Sequence, residues 1–196
     1  MKRSSKFDLA LRKRLLVQFT RPFEQGSVSG YLLDIGPRFF LLALVEDACR
    51  FNGFQCLRLS DVRELEVPHK YASFAEAALK KLGQRIPAKP RVNVTNIEGL
   101  LKSASRVFPL ITIHREIIDP DVCYIGRVGH VEKGLLSLLE IGPDAKWDSS
   151  PSEYLLKDIT RVDFGGAYED ALILVGGVPS NKGVETDAGK GRAAHT

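Results

Sequence analysis

The stretch YLLKDITRVDFGGAYEDAL at residues 154–172 repeats the pattern of LRLSDVRELEVPHKYASFAEAAL at residues 57–79. Each reads as an apolar strand, an Asp followed by a β-branched residue, more strand, a break, a Tyr and an Ala-containing start. A displacement of about 96 residues sets Val17 on Ile113, Gly30 on Gly126, Ile35 on Val131, Phe39 and Phe40 on Leu135 and Leu136, and Leu42 on Leu138. One extra loop residue raises it to about 97, which sets Leu59 on Leu156, Asp61 on Asp158, Val62 on Ile159 and Tyr71 on Tyr168. Few of these pairs are identical. The order and length of the apolar runs carry the repeat. A chain of 196 residues that repeats itself once must build two similar units.

Each unit reads as several short strands divided by turns. Gly36-Pro37 marks a hairpin between SVSGYLLDI and RFFLLALV, and Asn52-Gly53 is the strongest short hairpin signal. The broken apolar phase at Asp61 predicts a bulge or sharp bend. Ser73 with Glu76, and Thr95 with Glu98, have capping-box spacing, so helices are expected over SFAEAALKKLG and TNIEGLLKSASRVF. Gly83 stops the first and Pro109 the second. DLALRKRLL is a further short amphipathic candidate. Pro87 and Pro90 make residues 85–94 the best linker. The expected organisation is a first unit over 1–84, that linker, a second unit over 95–177, and a polar tail over 178–196 too poor in large apolar residues to fold. The fold class is mainly β with helices. Two tandem small antiparallel β-barrels suit it, because curling removes most open sheet edges.

CYIGRVGHVEKGLLSLLEIG, followed by EYLLKDITRVDF, resembles an Sm-like (SH3-like) barrel, with the helix at 95–108 in the place of that family's leading helix. RFFLLALVED with FQCLRLSDVREL is similar to the WYL-type barrel, itself Sm-like: Phe39-Phe40-Leu41 matches its aromatic-aromatic-Leu and RLSDV its basic strand end. The Sm Asn-Gly signature is replaced by Arg38-Phe39 and Gly134-Leu135. The resemblance therefore implies the fold rather than the activity. It also implies that copies could assemble through strand edges, making a homo-oligomer possible.

Chemistry is sparse. His69, His114, His130 and His195 have no ligand spacing, and Cys49, Cys56 and Cys123 form no C-x-x-C pair, so no metal site or disulfide framework is expected. Cys56 and Cys123 read as small buried hydrophobes and His114 as a half-exposed strand residue. No nucleophile elbow or phosphate loop occurs. Asp61 and Asp158 read as turn-capping residues. No catalytic residue and no cofactor is assigned. The basic amino-terminal segment lacks the apolar core of a secretory signal, and no apolar run is long enough to span a membrane, so a cytoplasmic place is expected.

A net charge of +4 permits nucleic-acid binding without requiring it. Small barrels hold single strands by stacking bases on loop aromatics and tracking phosphates with Lys and Arg. The candidates are Arg12, Lys13 and Arg14, then Arg38, Lys70, Tyr71, His130, Lys133 and Tyr168, with Arg85, Lys89 and Arg91 as further cations. The expected function is a non-enzymatic binding module, with a regulatory role open to it and single-stranded nucleic acid (RNA first) as leading ligand. A protein-interaction or scaffold module is the alternative.

Overall fold

A computed structural model describes residues 3–179; the expected tail from 180 onward lies outside them. Among the described residues nine strands form one antiparallel sheet: β1 Leu16–Thr20, β2 Ser27–Ile35, β3 Phe39–Val45, β4 Phe51–Arg58, β5 Ile111–His114, β6 Cys123–Glu132, β7 Leu135–Glu140, β8 Ser152–Leu155 and β9 Arg161–Phe164. Helices are α1 Arg3–Lys13, α2 Ala72–Lys81, α3 Ile97–Ala104 and α4 Ala167–Gly176. None of the described helices is long and apolar enough to cross a membrane.

The repeat is written into the strand register. Gly30 pairs with Leu44 and Ile35 with Phe40; Gly126 pairs with Glu140 and Val131 with Leu136. Both hairpins carry an irregularity at the equivalent place, Leu32/Asp34 and Val128/His130. Phe40 meets Leu57, and Leu136 meets Tyr154. After β4 and β8 the chain makes matching 3-10 turns, Leu59–Asp61 and Leu156–Asp158. These are the bends expected at the broken apolar phase.

The halves do not form two separate closed barrels. Strand order is β1-β2-β3-β4-β9-β5-β6-β7-β8, so β9 joins β4 of the first half to β5 of its own. The two largest of the four buried clusters among the described residues lie on opposite faces of this continuous sheet. Phe40, Leu42 and Leu57 point into the first, with Phe7 and Phe19; ring centroids of Phe7 and Phe19 stand 5.0 and 5.5 Å from Phe40. Their neighbours Leu41 and Cys56 point the other way, into a core with Ile113, Val162, Leu136 and Leu101. β3 is therefore buried on both faces, which its near-continuous apolar run FFLLALV reflects.

Residues 85–94, read from sequence as a linker, are anchored by Val92 and Val94 in the second core. Asn52-Gly53 is not a hairpin turn either. The β3–β4 turn lies at residues 46–50, where the Glu46 and Arg50 backbones bond, and Gly53 sits inside β4 at φ 69°. A Cβ on Gly53 would stand 2.6 Å from the Gly166 nitrogen. Asn52 Oδ1 accepts the Ala167 N–H at 2.7 Å, capping α4 of the other half. The pair thus fastens the halves together. Capping also differs in detail: Asn96, not Thr95, caps α3 by accepting the Gly99 N–H at 2.7 Å, and α2 begins at Ala72, ahead of Ser73. Cys123 is exposed, against the buried place expected for it, because it opens β6 at the sheet's surface; Cys56 is fully buried.

Candidate nucleic-acid interface

Arg12, Lys13 and Arg14 lead into β1, and the loop of Lys70 is hydrogen-bonded to the start of that strand. Arg12 and Lys13 stand in the last turn of α1, where the helix carbonyls favour positive charge. Arg14 follows at φ 49°, and the Leu15 N–H returns to the Ala10 carbonyl at 3.0 Å, so Arg14 takes the left-handed position that closes the helix. All three side chains are exposed. Two residues on, the Leu16 carbonyl accepts the His69 N–H at 2.8 Å, which brings the loop of Lys70 and Tyr71 to the same strand end. Arg14 also lines a cavity of about 420 Å³ with Lys89 and Pro87. Lys89 is tied to Asp34 at 2.6 Å.

Tyr71 is 61% exposed. The Lys70 ammonium lies 5.1 Å from its ring centroid, and the His69 ring meets it edge-on at 5.6 Å. An exposed ring held beside cations is a platform on which a base can stack while phosphates meet Lys and Arg.

A second group of cations gathers at the hairpin tips. The Arg38 carbonyl accepts the Leu59 N–H at 2.9 Å and the Gly134 carbonyl accepts the Leu156 N–H at 2.8 Å, which places Arg38 and Lys133 at the two 3-10 turns. Arg58, which the sequence did not single out, donates through Nη2 to the Lys157 carbonyl at 2.7 Å and to the Ile159 carbonyl at 2.5 Å. Burial, offset by Asp61 and reinforced by the like charge of Arg38, lowers the Arg58 pKa. Asp61 lies in this region too, and its Oδ1 accepts from Ser60 rather than from a turn N–H. His130 is exposed opposite Ser137 on the β6–β7 hairpin.

Tyr168 stands elsewhere. It lies in α4 beside a groove that also holds Glu46, Asp163 and Glu169, an environment that repels phosphate. The two Tyr of the repeat thus occupy equivalent places in the chain and opposite electrostatic settings. His114, read as a half-exposed strand residue, is partly buried and faces Asp163, Nε2 to Oδ2 at 3.2 Å. No cluster of His, Cys, Asp and Glu that could hold a metal occurs among the described residues.

The fold and its cations define a β-rich chain with a charged, aromatic-bearing surface. No family model, no curated protein and no solved structure matches it.

Proposed function

We propose that this chain is a non-catalytic binding module for single-stranded nucleic acid, RNA first, and that the ligand lies where the end of α1 meets the loop at residues 69–71. The observation that carries this reading is the exposed Tyr71 ring, flanked by the Lys70 ammonium, on a loop whose His69 N–H bonds the Leu16 carbonyl two residues after the consecutive exposed cations Arg12, Lys13 and Arg14. In this reading each half is an Sm-like unit, the two sharing one sheet. Arg38 and Lys133 at the hairpin tips extend the phosphate track, and Tyr168 takes no part. Substituting Tyr71→Ala is expected to weaken binding of a labelled single-stranded RNA by about tenfold, while Tyr71→Phe retains it, because the stacking face is what matters. Equal loss with Phe and Ala would contradict a stacking role.

A second reading, a protein-interaction or scaffold module, rests on the sheet edges. Among the described residues β8 pairs with β7 alone, leaving one edge of the sheet open. An added strand from another chain or a second copy would extend the ladder there. A native mass above 21.7 kDa, reduced to that value by Glu153→Pro in β8, would support it.

A further inference from the structure

At the junction of the halves, β4, β9 and β5 put Gln55, Asp163 and Thr112 in one cross-strand row. Arg161 and His114 pair in the next row, on the same face. This face is the one that carries the first core further along, but here it is polar and open. Two cavities of about 510 and 320 Å³ lie over it and share Leu44, Glu46, Gln55 and Arg161.

The groove is rich in negative charge. Glu24, Glu46, Asp47, Asp163 and Glu169 line it against Arg161 and His114. The Arg161 guanidinium is already engaged: Nε reaches Asp163 Oδ1 at 2.8 Å and Nη1 reaches Glu24 Oε1 at 3.1 Å. Behind it, the fully buried Arg21 side chain bonds Glu24 and Glu116, each at 2.5 Å. Both guanidiniums are held by carboxylates, and the one donor left unmet among the described residues, Arg21 Nε, is buried behind the groove on a side chain with no exposed surface.

Two residues that line this groove each carry a buried acceptor with no hydrogen-bond partner among the described residues. One is Oε1 of Gln55, a residue 5% exposed; the other is the buried Oε2 of Glu24. A buried acceptor left unmet costs free energy that a donor recovers. An anionic ligand would meet repulsion, and an apolar one would leave both oxygens unmet. A cation with several N–H donors answers both the charge and the oxygens.

We infer that this groove binds an organic cation bearing N–H donors, a guanidinium or primary ammonium group, with the Gln55 and Glu24 oxygens as its acceptors and Glu46 at the rim. The site is separate from the nucleic-acid surface and does not depend on it. The group could come from a free amine or from a Lys or Arg side chain of a peptide; the recognition chemistry is the same.

The test is an NMR titration of the full chain, following the Gln55 side-chain amide, with arginine amide, lysine amide, the tripeptide Gly-Arg-Gly, and citrulline amide as the uncharged isostere. A saturable shift of the Gln55 signals by a cationic probe below about 10 mM, with citrulline amide at least about tenfold weaker, is the expected result. Tighter binding of the tripeptide identifies a peptide source, and tighter binding of the free amides a small molecule. Gln55→Leu, which replaces the unmet amide by an apolar group of similar size, is expected to fold at least as well and to bind at least about tenfold more weakly. Glu46→Gln, at the exposed rim, is expected to weaken binding by a smaller factor. No saturable shift with any cationic probe, citrulline amide binding as well as arginine amide, or undiminished binding by Gln55→Leu would each overturn the inference.

Discussion

Gly30 and Gly126 occupy the same crowded position in the two halves. A Cβ at Gly30 would stand 2.3 Å from the Ala43 carbonyl oxygen, and one at Gly126 would stand 2.3 Å from that of Leu139. Backbone cannot retreat as a flexible side chain does, so Gly30→Ala and Gly126→Ala are each expected to cost about 2–4 kcal/mol in denaturant unfolding. Gly129→Ala, whose nearest neighbour is the Ser137 Oγ at 3.2 Å, should cost markedly less. At Asp163, burial by itself would raise the pKa. The Arg161 guanidinium and the His114 hydrogen bond outweigh it and bring the carboxyl down to about 2. Its folded pKa lies below the unfolded value of about 3.9, so its stabilisation is complete above that value and lost as pH falls toward 2. Unfolding free energy should drop by about 2 kcal/mol over that window, and Asp163→Asn should flatten the drop while lowering stability at neutral pH. A pH profile unchanged by Asp163→Asn would contradict this assignment. At this scale the sequence was legible where polarity was local. Arg12, Lys13 and Arg14 are exposed as their charges suggest. The Arg161–Asp163–His114 cluster was not, because it forms only when β9 and β5 pair across some 50 residues of intervening chain.

Among the elements, the strands follow from apolar runs and the turns from local chemistry, and both were readable. Gly36-Pro37 does join β2 to β3, and Gly83 follows α2 at φ 70°. Asn52-Gly53 shows where local chemistry misleads. The same left-handed tolerance that makes the pair a turn signal lets Gly53 lie against Gly165 and Gly166, with Asn52 capping a helix 115 residues away in sequence. Asn52→Ala is therefore expected to cost about 1 kcal/mol, chiefly through α4. It also removes the Asn52 Nδ2 bond to Glu46 Oε1, but the backbone bonds of the β3–β4 turn, Glu46 N–H to Arg50 and Cys49 N–H to Glu46, stay in place. Amide exchange would check this: faster exchange at Ala167–Asp170 with Glu46–Arg50 unchanged is the expected pattern. The α3 cap was misplaced by one residue. Asn96 and Thr95 are both competent caps, and the buried Leu100, Leu101 and Ala104 decide which one the helix starts from.

For the whole molecule, the repeat was the most informative feature of the sequence. It foretold matched apolar strands and a bend at Asp61; the second bend, at Leu156–Asp158, and the helix α4 after Tyr168, where ALILVGG reads as a further strand-like run, came only with the structure. It did not foretell that β4 and β9 would pair. Pattern fixes which face of a strand is buried, but two apolar edges say nothing of which partner they choose. A continuous sheet follows because that pairing gives both edges ladder bonds and lets one core draw Leu41 and Cys56 from the first half and Val162 from the second. The same arrangement separates charge. Exposed cations collect where α1 ends, while carboxylates collect in the groove at the junction.

The most direct test of the nucleic-acid reading is equilibrium binding of a fluorescent single-stranded RNA of mixed sequence, titrated over a range of salt concentrations. Wild-type protein should bind at low salt and weaken steeply as salt rises. Neutralising Arg12, Lys13 and Arg14 together should lower the log–log salt slope by about 2, the value for three lost phosphate contacts on a single strand. No binding at low salt, or a slope unchanged by that triple substitution, would contradict the account.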